Sequence, residues 1–145
     1  RGLGDVYKRQ LLLDRVSRIL NKKIKNKMIT FLGVTFKANT DDMRDSSSLQ
    51  MIPWLSKKGA IIRYFDPTGY KTEFKKFKNV INKTSIKDAV HGADLVIIHT
   101  EWNDFKSINF KSLVKGKKFM IFDMRNIYTS SKIKDQGFKY FSVGK

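Results

Sequence analysis

The residues able to do chemistry in this chain gather in four short stretches. The first is FKANTDDMRDSSS, Phe36–Ser48, which crowds Lys37, Asp41, Asp42, Arg44 and Asp45 together. The others are FDPTG around Asp66, HTEWNDF from His99, and DMRN with Asp123 and Arg125. A lysine meets phosphate oxygens as a point charge, whereas the planar fork of an arginine meets them bidentately. Facing one cleft, Lys37 and Arg125 would be two cations converging on one anion. Lys37 also reads as a plain solvent-facing lysine. Arg44, ringed by three carboxylates, reads as a phosphate fork or as a structural ion pair. For Asp41, Asp42 and Asp45 the favoured reading is a salt-bridged cluster that starts a helix, with Asp45 or Ser46 at the N-cap. A hard-cation site recruits more oxygen ligands at set spacing, so no metal is expected. Asp66 stands where an acidic residue holds ribose in a dinucleotide fold, but Asp-Pro there reads better as a turn former. His99 reads as packed and hydrogen-bonded, and Trp102 as a cleft wall or a contact to another domain. No Ser-His-Asp order has a plausible context, and no catalytic residue is assigned.

Elements of two kinds must position these stretches. Short apolar runs read as buried strands: MITFLG from Met28, AIIRYF to Phe65, KNVIN, DLVIIHT, FMIFDM and KYFSVG. Between them lie helical patterns. SSLQMIPWLSKKG turns Leu49, Ile52 and Leu55 inward, with Gly59 as C-cap; Pro53 predicts a kink or a late start. TSIKDAVHGA opens on a Thr or Ser N-cap. Shorter helical candidates fall around Ser112–Val114 and Ser130–Gln136. Upstream, Leu12, Val16, Ile19, Leu20 and Ile24 recur at helical spacing. The first ten residues, RGLGDVYKRQ, lack periodicity and resemble a non-native linker, so they are set aside. Continuous apolar strands separated by helices imply an open α/β sheet of Rossmann-like type, parallel and covered by helices on both faces. Ligands bind such sheets at the carboxyl ends of the strands, where all four polar stretches fall. No G-x-G-x-x-G occurs, so an ordinary dinucleotide loop is not expected.

The composition narrows the partners. Of 145 residues, 41% are hydrophobic and 12% aromatic, which suits one folded domain rather than disorder. No apolar run could span a bilayer, and LLL followed by Asp14 and Arg15 is no signal peptide. Without cysteine there is no disulfide, thiolate metal site or cysteine nucleophile, and a reducing, cytoplasmic setting fits. The formal net charge of +17 favours anionic partners. Most of the excess is scattered lysine without an aromatic-basic motif, which argues for solvated basic faces over a nucleic-acid-binding module.

Taken in order and spacing, LGVTFKANTDDMRDSSSL, YFDPTG, GADLVIIHTEWNDF and FDMRN resemble the C-terminal domain of the UDP-glucose/GDP-mannose dehydrogenase family. The resemblance covers Met28 to the C-terminus. Residues 11–27 look like the end of the helix that leads into this domain, and 28–145 like the nucleotide-sugar-binding domain itself. FKANTDDMRDSSSL and TEW lean toward members acting on UDP-glucose; those acting on UDP-N-acetyl sugars or GDP-mannose are the alternative. The family oxidises the sugar C6 alcohol to a carboxylate in two NAD-dependent steps, through a thiohemiacetal on a cysteine. What the resemblance implies is a substrate-binding fragment. Its missing N-terminal domain would hold NAD, and its missing central region would supply the cysteine and form a homodimer. Carried over by motif, Phe36, Lys37 and Arg125 would contact the sugar nucleotide, and Arg44 would reach the NAD side of the cleft. With no glycine loop and no cysteine, the isolated chain is expected to be inactive.

Overall fold

The computed structural model describes residues 3–114 and 116–143. Arg1 and Gly2 of the linker-like segment, and Gly144 of the sixth predicted strand, lie outside them. The chain alternates strands and helices. Helix α1 (Leu3–Ile19) leads into β1 (Met28–Leu32), α2 (Ser48–Lys57), β2 (Ile61–Phe65), β3 (Val80–Asn82), α3 (Ile86–Val90) and β4 (Leu95–Ile98). Two short helices follow, α4 (Asn103–Lys106) and α5 (Phe110–Leu113), then β5 (Met120–Asp123), α6 (Ser130–Asp135) and β6 (Tyr140–Ser142). The six strands form one sheet in the order β3-β2-β1-β4-β5-β6, and each neighbouring pair is parallel. This is the doubly wound Rossmann order, as the alternation of apolar runs and helical patterns implies.

The strands read as unbroken apolar runs because both sheet faces are covered. Side chains alternate across β1 and β4, so Ile29, Phe31, Leu95 and Ile97 enter one core with α1 and α2. Leu32, Val96 and Ile98 enter the other, with α3 and the aromatic rings of Phe105, Phe110 and Phe138. Thr30, fully buried on β1, satisfies its hydroxyl on the Ala89 carbonyl of α3. At 2–3 kcal/mol for each large side chain removed from water, roughly, these two layers fix the sheet.

Several local outcomes differ from the sequence expectations: α1 ends at Ile19, so Leu20 and Ile24 reach the core from the turns after it, and α4 forms where no helix is expected. Helix α1 begins at Leu3 rather than Leu11: no breaker follows Gly4, and extending a formed helix costs far less than nucleating one. Helix α2 starts at Ser48 and runs through Pro53 without a late start. Its N-cap is Ser47, not Asp45 or Ser46, and Ser47 makes no side-chain cap bond. The C-terminus of α2 follows expectation: Gly59 N–H bonds the Ser56 carbonyl at 3.0 Å and Ala60 N–H bonds Leu55 at 3.1 Å, a Schellman pair around Gly59 at φ +92°.

The carboxyl end of β1 is set by Gly33. It has φ +80°, and a Cβ there would lie 2.5 Å from Thr100 Cβ, just past β4. Gly69 has a similar φ of +88° with nothing within 4 Å. Gly69→Ala is therefore expected to cost about 1 kcal/mol from backbone strain alone, and Gly33→Ala about 3 kcal/mol or more because the β1–β4 approach must also open. Urea unfolding of the two variants checks this; equal losses would mean that the approach yields freely.

Candidate functional site

Between β1 and β4 the sheet reverses its direction of growth, and the loops leaving those strands diverge to open a crevice. The loop after β1 enters this crevice tied on both sides. Val34 N–H donates to Asp66 Oδ2 at 2.8 Å. Asp66 Oδ1 accepts from the Thr68 amide at 2.9 Å and the Thr68 hydroxyl at 2.6 Å. Asp66 is buried with both oxygens engaged, so it closes a turn and presents no oxygen to a ribose. Asp123 repeats the device at the end of β5. Its Oδ1 accepts from Arg125 N–H at 3.1 Å, and its Oδ2 accepts from Tyr128 N–H at 3.1 Å and Tyr140 Oη at 2.7 Å. Burial first, and that carboxylate second, hold the Tyr140 phenol well above its ordinary value.

The serine triplet has a task that its position before α2 did not reveal. The hydroxyls of Ser46 and Ser48 both donate to the Val34 carbonyl, each at 2.6 Å, matching its two lone pairs. Ser47 Oγ lies 2.8 Å from His99 Nε2, and His99 Nδ1 lies 3.0 Å from Thr100 Oγ1. Thr100 gives its one proton to the Thr35 carbonyl at 3.0 Å. It must therefore accept from His99 Nδ1–H, which leaves Nε2 to accept from Ser47. That tautomer is neutral. Burial first, and Arg125 second, push the imidazole down to about 3, against a smaller opposing effect of the Gly33 backbone. His99 is a packed joint between three loops, and its lowered basicity suits no proton abstraction near neutrality.

Arg125 completes the joint. Its Nε donates to the His99 carbonyl at 2.9 Å and its Nη2 to the Phe36 carbonyl at 3.1 Å. One guanidinium thus bridges the ends of β1, β4 and β5. Phe36 N–H donates to the Asp42 carbonyl at 3.0 Å, so its backbone is pinned on both sides while the residue stays 44% exposed. Lys37 follows, exposed, its carbonyl taking the Thr35 hydroxyl at 2.9 Å. Phe36, Lys37 and Arg125 are thereby brought to one mouth. Trp102 is buried behind it, its indole N–H 3.4 Å from Thr35 Oγ1. Arg44 reaches the same loop through Asp42, which receives its Nε at 3.0 Å and its Nη2 at 3.1 Å. Of the three carboxylates around Arg44, Asp42 takes the fork; the pair lowers the Asp42 pKa and raises that of Arg44. A phosphate at Arg44 would meet its outward N–H groups. Beside Arg125 and Ser47, a groove of about 560 Å³ runs along α1 with Arg15 and Arg18 on its wall and no carboxylate among its lining residues. Arg15 donates to the Ser142 carbonyl at 3.2 Å and stands over the Phe122 ring at 5.7 Å. Thr35, Thr100 and Arg15 were not singled out in the sequence. The Gly33–Val34–Thr35 exit from β1 and the Thr after His99 were the signals for the first two; nothing marked Arg15.

The fold is thus a doubly wound sheet whose carboxyl-end crevice presents cations and an aromatic, with no G-x-G-x-x-G loop. The sequence profile described as the UDP-glucose/GDP-mannose dehydrogenase family, UDP binding domain, matches residues 30–130. The chain belongs to this family. It is 34% identical over 136 residues to UDP-glucose 6-dehydrogenase of Rickettsia felis, covering 92% of this chain and 30% of that protein. To UDP-glucose 6-dehydrogenase of Rhizobium meliloti it is 36% identical over 123 residues, covering 84% of this chain and 28% of that one. Among solved structures, the UDP-D-ManNAc dehydrogenase of Pyrococcus horikoshii shares 27% identity at a TM-score of 0.70, over 95% of this chain and 30% of that one. The chain thus spans about 30% of the length of these relatives. Among the described residues, no helix is long and apolar enough to cross a membrane.

The neutral His99 makes a pH prediction. Its folded value lies below its unfolded value of 6.5, so below pH 6.5 the unfolded chain binds the extra proton. Stability should be fully present above pH 6.5 and fall as pH drops from there toward about 3. Denaturant titrations at stepped pH should show this decline beginning near pH 6.5, and His99→Gln should flatten its upper part. A wild-type curve level down to pH 4.5, on the order of two pH units below the histidine value, would refute a buried neutral imidazole.

Proposed function

We propose that this chain is the substrate-binding portion of a UDP-glucose 6-dehydrogenase, and that the mouth formed by Phe36, Lys37 and Arg125 holds the nucleotide part of UDP-glucose. The observation that carries the proposal is the Arg125 bridge. It ties the Arg125 guanidinium to the Phe36 carbonyl, one residue before the exposed Lys37 and beside the exposed Phe36 side chain. Two cations at a partly desolvated mouth suit a diphosphate, and the ring suits the flat face of a base or sugar. The identity to proteins named UDP-glucose 6-dehydrogenase supports that sugar nucleotide. The likeness to a UDP-D-ManNAc dehydrogenase keeps a UDP-N-acetyl sugar as the second reading.

The full-length protein would oxidise the bound sugar with NAD, and would do so as a homodimer in the cytoplasm. The residues present here do not form a dinucleotide cradle. The amides of Val34, Phe36 and Arg44 are committed within the loop, and both oxygens of Asp66 are taken. NAD would be gripped by protein outside this chain, with Arg44 meeting it from across the cleft. Within this chain, the mouth binds and orients the sugar nucleotide and excludes water. No residue of it supplies the cysteine chemistry.

Calorimetric titration of the full chain with UDP-glucose tests this. One site is expected, weakened about tenfold by Arg125→Lys, since a lysine cannot reach both carbonyls and meet phosphate as well. A Lys37→Gln variant, whose side chain has no part in the joint, should weaken binding without lowering the unfolding midpoint. NAD added with UDP-glucose should give no NADH absorbance. No heat with UDP-glucose, alongside tight RNA binding with a steep salt slope, would replace this reading with nucleic-acid binding.

A further inference from the structure

At the opposite edge of the sheet, away from the mouth, lies a larger hollow of about 770 Å³. Its position follows from the parallel sheet: Lys27 precedes β1, Lys117 and Lys118 precede β5, and Lys139 precedes β6, so all sit at amino ends of strands. Helix α1 adds Arg15 and Arg18, which also line the groove beside Arg125. Asp94 is the one carboxylate among the lining residues. It is already committed, accepting Met28 N–H at 2.9 Å and pairing with Lys117 Nζ. These contacts hold its pKa below the usual value against the opposing effect of burial. The floor is apolar, with Met120 and Phe141 facing the hollow.

We propose that this hollow is a second anion site, distinct from the mouth, for a ligand carrying several linked phosphates. Scattered lysine on a chain of net charge +17 is ordinary. Lys117 is taken by Asp94, and Lys118 Nζ by the Gln136 carbonyl at 3.0 Å; Arg18, Lys23, Lys27 and Lys139, from separate stretches, line one concavity, and a multiply charged anion would offset their like charge. A monoanion would leave most of it in place. The volume lies in the range that encloses a small ligand, on the order of 300–1,000 Å³. Phe141 and Met120 provide a surface on which a base could rest, so a nucleoside triphosphate should bind more tightly than inorganic triphosphate.

The test titrates the full chain at physiological ionic strength with inorganic triphosphate, with ATP and with a single-stranded oligonucleotide. One triphosphate per chain is expected. The double variant Lys27→Gln/Lys139→Gln should weaken it about tenfold with an unchanged unfolding midpoint. The mouth variant Lys37→Gln should leave it within about twofold. UDP-glucose binding should show the reverse pattern, so a failure of the mouth and a failure of the hollow are told apart. ATP binding better than triphosphate assigns the floor to a base; equal affinities assign the site to the phosphates alone. Triphosphate binding unaffected by the double variant, or weakened equally by Lys37→Gln, overturns the proposal. So does an oligonucleotide whose affinity climbs with length while triphosphate fails to compete, since that marks an open nucleic-acid surface.

Discussion

The close passage of β1 past the end of β4 is the constraint on which the crevice depends. Only a residue without Cβ can stand at Gly33, because Thr100 occupies the space a side chain would need. That closeness lets Thr100 Oγ1 reach the Thr35 carbonyl, and it sets His99 within reach of Ser47 at the start of α2. Arg125 then closes the gap from β5 by bonding both strand exits at once. Each contact is modest alone, about 1 kcal/mol net for an ordinary hydrogen bond. They run from the buried Thr100–Thr35 bond to the exposed Arg125–Phe36 bond and share partners, so the mouth is held as a unit.

Charge at the mouth is sorted by depth. Asp66 and Asp123 are buried and act as turn closers, each taking the amide two residues ahead as well as a partner from elsewhere. Asp42, nearer the surface, clamps Arg44 and the amide of the same residue. The carboxylates of Asp66 and Asp123 thus face inward, whereas Lys37 and the outer side of Arg44 face solvent. In the stretch after β1, Asp42 is taken by Arg44 while Asp41 and Asp45 are exposed beside Lys37, so its surface carries both signs.

Most of the fold could be read from the sequence. The six apolar runs are the six strands, and their spacing by helical segments gave the doubly wound sheet, because a strand buried on both faces carries its own signature. Strand order did not follow from the pattern alone; it follows from right-handed crossovers and packing across the two cores. The four polar stretches fell at the carboxyl ends, as the parallel sheet requires. Which of their residues work together was less accessible. Ser46 and Ser48 resemble helix caps in sequence, and only the proximity of the Val34 carbonyl turns them into ties to β1. Arg15 looked like one more charged residue on a helix, since its partners Ser142 and Phe122 lie more than a hundred residues away, roughly the span over which local pattern says nothing.

The loop after β1 also explains why this Rossmann-like sheet needs no glycine-rich turn. In a glycine loop, unpaired amides converge on the pyrophosphate at a helix N-terminus. Here the amides of Val34, Phe36, Asp42, Arg44, Ser46 and Ser48 already bond oxygens within the domain. The first turn of α2 is likewise tied back, because its N-cap hydroxyl serves His99. With few amides to offer, this crevice would meet an anion through side-chain cations. Such recognition is longer in range, more sensitive to salt and less exacting in geometry than an amide cradle. A domain built this way can hold a charged ligand from one side and leave orientation of the reacting end to whatever faces it across the cleft.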